Sequence, residues 1–264
     1  MITHFADLQL QTVSIPSVKR FYHERLQFPI VHESHDRIRF QPTPHVTLTF
    51  REVYEPVAPA HFAFEVPYSK FDLAIEMLRH NGILLQAWSD GREIDSFETG
   101  KNVYFRDCDG NLLELIAHPY IQENILEPSG PYHLLYLREI GFPVESVPLF
   151  RDWLQQLFGM KMDKVSETFT FAIGGTAHAV VVSKQRKWIP IAMLALPPKM
   201  EVTLGVSSPR PIEKVKSLLQ KDSSCSFSET DTGLCIVKDG YILRLTLSTF
   251  DPELLPRLNL PFSI

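Results

Sequence analysis

Residues 104–116 read Tyr-Phe-Arg-Asp-Cys-Asp-Gly-Asn-Leu-Leu-Glu-Leu-Ile: a turn-forming polar stretch, then an apolar run broken by one carboxylate. Leu112, Leu113, Leu115 and Ile116 predict a buried strand. Glu114 within it is costly to desolvate unless something pairs with it, and a metal ion is one such partner. A second potential ligand, His61, opens another apolar strand upstream, His61–Val66. Neutral imidazole suits Fe, Mn, Zn or Ni.

Working outward from these strands, one pattern recurs four times. Leu8, Leu10 and Thr12 alternate with Asp7, Gln9 and Gln11, the period of a half-buried strand. Ser14-Ile15-Pro16-Ser17 predicts a helix start with Ser14 or Ser17 as N-cap, and Val18, Phe21, Tyr22 and Leu26 follow at helical spacing. Strands are expected around 28–33, 37–41 and 46–51, giving a βαβββ unit. The second unit starts at His61, continues in a helix over 70–81 with Gly82 as its stop, and ends in strands near 84–88, 101–106 and 112–116. A polar loop is expected over 90–100. The third unit predicts strand 138–142, helix 147–158 and strands 161–166, 168–173 and 179–183. The fourth predicts strand 201–206, helix 212–220 and strands 233–237 and 242–246. Repeats of this length decide the fold ahead of any single residue. The fold class is therefore α+β, with a domain over 1–120, a linker at 121–131 and a second domain over 132–264.

The bulk composition narrows the function. The chain has 264 residues, 44% hydrophobic, with a net charge of -5, so no basic footprint for nucleic acid or an anionic membrane is present. Twenty prolines argue against a long coiled coil. Cys108, Cys225 and Cys235 have no C-x-x-C spacing, which speaks against a disulfide framework or a cysteine zinc site. The N-terminus lacks the pattern of a secretory signal and no apolar stretch is long enough to span a bilayer, so a cytoplasmic location is expected.

The Phe21-Tyr22 pair, with Gln27-Phe28 after the first helix, and Phe105-Arg106-Asp107-Cys108-Asp109-Gly110-Asn111 before the strand of Glu114 carry a resemblance. The chain resembles the vicinal oxygen chelate superfamily of glyoxalase I, extradiol ring-cleaving dioxygenases and bleomycin or fosfomycin resistance proteins. Here Cys108 stands where the family's signature has Pro, and Gln27 where its turn has Gly. The resemblance is strong over 1–120 and weaker over 130–250. It implies tandem βαβββ modules forming two glyoxalase/dioxygenase-like domains with cup-shaped mixed sheets, a divalent metal in the cup, and a monomer or homodimer.

Carried over position by position, the resemblance places the last-strand ligand on Glu114, the fifth-strand ligand on His61 and the first-strand ligand on Asp7, with His4 as a substitute. The extra carboxylate that glyoxalase I carries on a fourth strand falls near Thr47, a poor ligand, which speaks against isomerisation. Ring-cleaving dioxygenases carry a Tyr ten residues before the Glu ligand, which is Tyr104 here, and an acid/base His, for which His45 is the candidate. Trp88, Arg106 and Thr47 are expected to wall the substrate pocket. In the second half the same counts give Glu139, Glu201 and Arg244, read as a metal-free ion cluster. One metal per chain is expected, with Fe(II) or Mn(II) favoured over Zn(II) or Ni(II) for a carboxylate-rich set. The implied function is ring cleavage of a catechol- or hydroquinone-type small molecule. The alternatives are a metal-free binding or resistance protein of the same fold, and another metal-assisted isomerase or lyase with Glu65 or His45 as base.

Overall fold

The computed structural model describes residues 2–261. The four units are present. The first runs β1 (Ile2–Thr12), α1 (Ile15–Lys19), β2 (Ile30–Glu33), β3 (Arg37–Thr43) and β4 (Val46–Glu52). Ser14 caps α1 by accepting from the Ser17 N–H, and Pro16 sits in the first turn, where its missing N–H costs nothing. The helix passes into a π-helical turn over Arg20–Arg25. The second unit runs β5 (His61–Glu65), α2 (Phe71–His80), β6 (Ile94–Phe97), β7 (Gly100–Arg106) and β8 (Leu112–Ala117). Gly82, at φ +68°, ends α2 as expected, with the Ile83 N–H returning to the Leu78 carbonyl. The third unit is β9 (Tyr136–Val144), α3 (Val147–Phe158), β10 (Lys161–Asp163), β11 (Phe169–Gly174) and β12 (Ala177–Ser183). A small hairpin, β13 (Lys187–Trp188) and β14 (Met193–Leu194), leads to β15 (Glu201–Val206), α4 (Pro209–Leu219), β16 (Ser226–Thr230), β17 (Gly233–Lys238) and β18 (Tyr241–Leu247). A short α5 (Leu254–Arg257) follows.

Two differences from the expected elements matter. Strand β6 lies at 94–97, inside the expected polar loop, because Ile94-Asp95-Ser96-Phe97 pairs back on β7. Residues 84–88 make only an isolated bridge, Leu85 to Phe105. The larger difference is in how the units combine. The strand order of one sheet is β16-β17-β18-β15-β1-β4-β3-β2, and of the other β10-β11-β12-β9-β5-β8-β7-β6. The first unit therefore joins the fourth through antiparallel β1–β15, and the second joins the third through antiparallel β5–β9. The cup containing Glu114 is thus not assembled from residues 1–120 alone. Residues 121–131 connect two halves of one sheet. One large apolar core, with side chains from all four units, runs through both sheets, beside two smaller apolar clusters.

Alternation assigns the faces. On β8, Leu113 and Leu115 join that core, while Glu114 and Ile116 look the other way, toward a cavity, and Leu112 packs on that face with Tyr104 and Trp188. On β7, Asn102 and Tyr104 share that face, and on β12 His178, Val180 and Val182 do.

Candidate metal centre

The polar loop over 107–111 fixes the start of both β5 and β8. Asp107 accepts from the N–H groups of Asp109 (3.0 Å) and Asn111 (2.8 Å), from the Asn111 amide (2.7 Å) and from the Tyr22 hydroxyl (2.7 Å). Gly110 takes φ +84°, which a side chain would resist. The Asn111 side-chain Oδ1 accepts from the Ala60 N–H (2.7 Å), and β5 then runs parallel to β8 with Ala63 opposite Glu114. The Asp-Gly-Asn signature and the Tyr22 of the first helix are thus positioning elements.

His61 and Glu114 meet in the cup. His61 Nδ1 lies 3.1 Å from the Leu112 carbonyl, so it carries the proton and leaves the Nε2 lone pair free. That Nε2 is 3.5 Å from Glu114 Oε2 and 3.8 Å from Glu139 Oε2. The three ligand atoms lie within 4.8 Å of one another, and all three residues are buried. The Glu114 carboxyl is pushed well above the usual range, first by burial and then by the charge of Glu139. Two carboxylates turned toward each other beside an imidazole lone pair form a donor set that a divalent cation satisfies, and oxygen-rich sets favour harder ions.

Glu139 reaches this position through a β-bulge. Across β5–β9, Ala63 faces Glu139 while Phe64 faces Leu137, leaving Arg138 as the extra residue. Both Arg138 and Glu139 consequently line the cavity. Arg138 is buried and donates to Glu65 (2.9 Å) and to the Tyr120 hydroxyl (2.9 Å). Glu65 also meets His118 Nδ1 at 3.0 Å and the His118 N–H at 3.0 Å, so it is spoken for as part of a structural network.

Around the carboxylates, Asn102 donates to Glu114 (2.7 Å) and to the Tyr104 hydroxyl oxygen (3.0 Å). Burial, then the Glu114 charge, holds the Tyr104 hydroxyl protonated far above its ordinary pKa. His178 is directly opposite Glu139 across β9–β12. Burial, reinforced by the charges of Arg138 and His118, keeps its imidazole neutral. Trp188, from the hairpin, lies 4.9 Å ring to ring from His61. The cavity measures about 560 Å³. Eight buried side-chain polar atoms lack a hydrogen-bond partner among the described residues, although one of them, Arg138 Nε, lies 3.7 Å from Glu139 Oε1 as an ion pair. Four of them, Asn102 Oδ1, Arg138 Nε, His178 Nε2 and Trp188 Nε1, belong to residues lining this cavity. Such a concentration of unmet hydrogen-bonding groups points to a ligand.

The remaining sequence candidates lie elsewhere. Asp7 is on the other sheet, where Thr47 and Thr49 donate to it and Arg39 approaches at 3.6 Å. Glu201 pairs with Arg244 (2.8 Å) and accepts from Gln9 (2.9 Å). The expected ion cluster is therefore Glu201 with Arg244, close to Asp7 rather than to Glu139, because the units pair first with fourth and second with third. His45 sits in the β3–β4 turn, its carbonyl bound by His4 Nε2 (3.0 Å) and its ring against Phe250. Thr47 holds Asp7, and Arg106 folds over its own loop onto the Gly110 carbonyl. Trp88 packs edge-on against Tyr104 with Arg92 over its ring, outside the cavity lining. The sequence reasoning missed His178. Its signal was available: it occupies in the third unit the register that Thr47 occupies in the first.

With this geometry in view, the architecture can be placed. The chain has the fold of the vicinal oxygen chelate superfamily. A provisionally assigned dioxygenase from Bacillus subtilis subsp. subtilis strain 168 superposes with a TM-score of 0.69 at 11% identity, over 94% of this chain and 86% of that one. Glyoxalase I from Zea mays superposes with a TM-score of 0.60 at 16% identity, over 99% of this chain and 97% of that one. At these identities the likeness is one of fold. No family model matches the sequence, and no curated protein matches it.

Proposed function

We propose that the protein is a divalent-metal-dependent enzyme that cleaves the ring of a catechol- or hydroquinone-type substrate with dioxygen. The observation that carries this reading is the convergence of His61 Nε2, Glu114 and Glu139 beside the neutral, unpartnered His178. Those three residues would hold an Fe(II) or Mn(II) ion, which when bound would supply a Lewis acid for substrate oxygen and redox capacity toward dioxygen.

The rest of the chemistry falls to side chains. His178 accepts the proton of a substrate hydroxyl at Nε2, a role its neutrality suits. Tyr104 keeps its own proton and donates to a substrate oxygen, its hydroxyl oriented by Asn102. Trp188 covers the His61 face and excludes water. In the net reaction one ring carbon–carbon bond breaks and both atoms of dioxygen enter the product. The substrate loses four electrons and dioxygen accepts them.

The test is anaerobic loading with Fe(II) or Mn(II), metal analysis, and oxygen uptake on a series of catechols. The expectation is one metal per chain and substrate-dependent uptake. A chain that retains no metal after loading overturns the proposal. His178 also supports a second reading, metal-assisted isomerisation, because an imidazole there supplies the proton-transfer group that Thr47 cannot. Turnover without oxygen consumption would select that reading.

A further inference from the structure

The cavity extends well beyond the metal centre. From His178, β12 runs through Val180 to Val182, a distance of roughly 13 Å at about 3.3 Å per residue. Across β11–β12, Phe171 faces Val180 and Phe169 faces Val182. Phe169 and Phe171 meet edge to face at 4.9 Å, and with Val180, Val182 and Trp188 they make an apolar wall. A single diol ring at the metal end would leave that wall empty. The cavity volume of about 560 Å³ falls within the roughly 300–1,000 Å³ typical of pockets for larger small molecules.

The mouth beyond this wall is cationic. Arg186 lies over the Phe169 ring at 4.8 Å and Lys164 over the Phe171 ring at 5.5 Å, and Lys187 lines the same opening. Of the two aspartates that line the cavity, Asp95 is paired with Arg92, and Asp163 accepts from the Lys164 N–H (2.8 Å) and keeps its charge, so the three cations outnumber the one carboxylate beside them. Stacking on the rings stations Arg186 and Lys164 at the end of the apolar wall. This occurs on a chain whose overall charge is -5.

We propose that the substrate is an elongated anionic molecule. Its diol-bearing aromatic head sits at His61, Glu114 and Glu139, its apolar body lies along Phe169 and Phe171, and its carboxylate rests at Lys164, Arg186 and Lys187. This rests on the enzymatic reading for the head and on the cavity alone for the body and tail.

The experiment compares matched pairs of molecules: catechols carrying a phenylalkyl chain that ends in a carboxylate or in the corresponding primary amide. Each pair is also made with the diol methylated, so that it binds without turning over. Binding to metal-loaded protein is read by tryptophan fluorescence and calorimetry, and turnover by oxygen uptake. The acid should bind at least about tenfold tighter than the amide, in both diol and methylated forms. That preference should shrink with salt and disappear in the triple variant Lys164→Gln/Arg186→Gln/Lys187→Gln, and it should persist in the distant control Lys221→Gln. Equal affinity for acid and amide, or a preference that survives the triple variant, overturns the proposal. An acid preference without oxygen uptake on any catechol would leave the mouth assignment standing and the ring-cleavage reading fallen. Uptake on short catechols without an acid preference would do the reverse.

Discussion

Arg244 occupies in one sheet the place that Glu114 occupies in the other. Glu114 faces Ala63 across parallel β8–β5, and Arg244 faces Thr203 across parallel β18–β15, each beside the residue that opens the partner strand, His61 or Glu201. The two sheets are versions of one frame, but in one the last-strand position carries a carboxylate and in the other a guanidinium already paired to Glu201. A guanidinium cannot ligate a metal and repels one.

Metal content should therefore be one ion per chain. His61→Ala and Glu139→Gln should each weaken binding by at least tenfold, whereas Asp7→Asn should leave the stoichiometry at one. Metal analysis after anaerobic loading and desalting reads all three. Two ions per chain, or loss of metal in Asp7→Asn, would show that the Glu201–Arg244 sheet also holds a site.

Asn102 supplies a second expectation. Its amide donates to Glu114 and to the Tyr104 hydroxyl, so it orients a ligand without touching a metal. Losing such an outer partner typically costs about 10–100-fold in metal affinity or activity. Asn102→Ala should fall in that range while keeping its far-ultraviolet circular dichroism; an unchanged metal dissociation constant would remove Asn102 from the site.

Glu114 and His61 were legible in the sequence because each breaks an otherwise apolar strand, and burial of a charged or polar group asks for a reason. Glu139 was visible by count as a first-strand residue, but its partners were not. Which units share a sheet depends on the β1–β15 and β5–β9 pairings between distant segments, and no local pattern encodes these. The bulge at Arg138 also breaks the alternation from which a facing direction is read. His178 lies one residue before the expected strand 179–183, and only the register it shares with Thr47 marks it until Glu139 is known to lie opposite. Strand β6 was hidden for the opposite reason: Ile94-Asp95-Ser96-Phe97 is too polar and short to announce an edge strand.

Acid sensitivity should trace in part to His4. Burial, then the His45 charge, lowers its pKa from 6.5 to about 4, and it is held neutral between Thr3 and the His45 carbonyl. A base whose folded pKa is depressed contributes stability that is fully present above its unfolded pKa. That stability is lost as pH falls through the window from 6.5 to 4. A difference of this size corresponds to about 3 kcal/mol at most. Urea unfolding of the wild type should weaken across that window, and His4→Gln should show a shallower slope; parallel slopes would mean that other groups carry the acid sensitivity.

Gly141 offers the sharpest structural test of the Trp188 cover. A Cβ added there would lie 2.7 Å from Trp188 Cη2, 3.0 Å from Trp188 Cζ2 and 3.2 Å from His61 Cβ. Its neighbours are His61 and the Trp188 ring that packs on it, so the clash cannot be relieved without moving one of them. Gly141→Ala should destabilise the fold by about 1–3 kcal/mol, the usual cost of overpacking. It should also shift Trp fluorescence to the red as Trp188 is displaced toward water. The paired variant Gly141→Ala/Trp188→Leu removes the obstructing ring and should recover most of the stability without recovering the enclosed site. A Gly141→Ala protein with unchanged emission and unchanged metal affinity would show that Trp188 does not lie over His61.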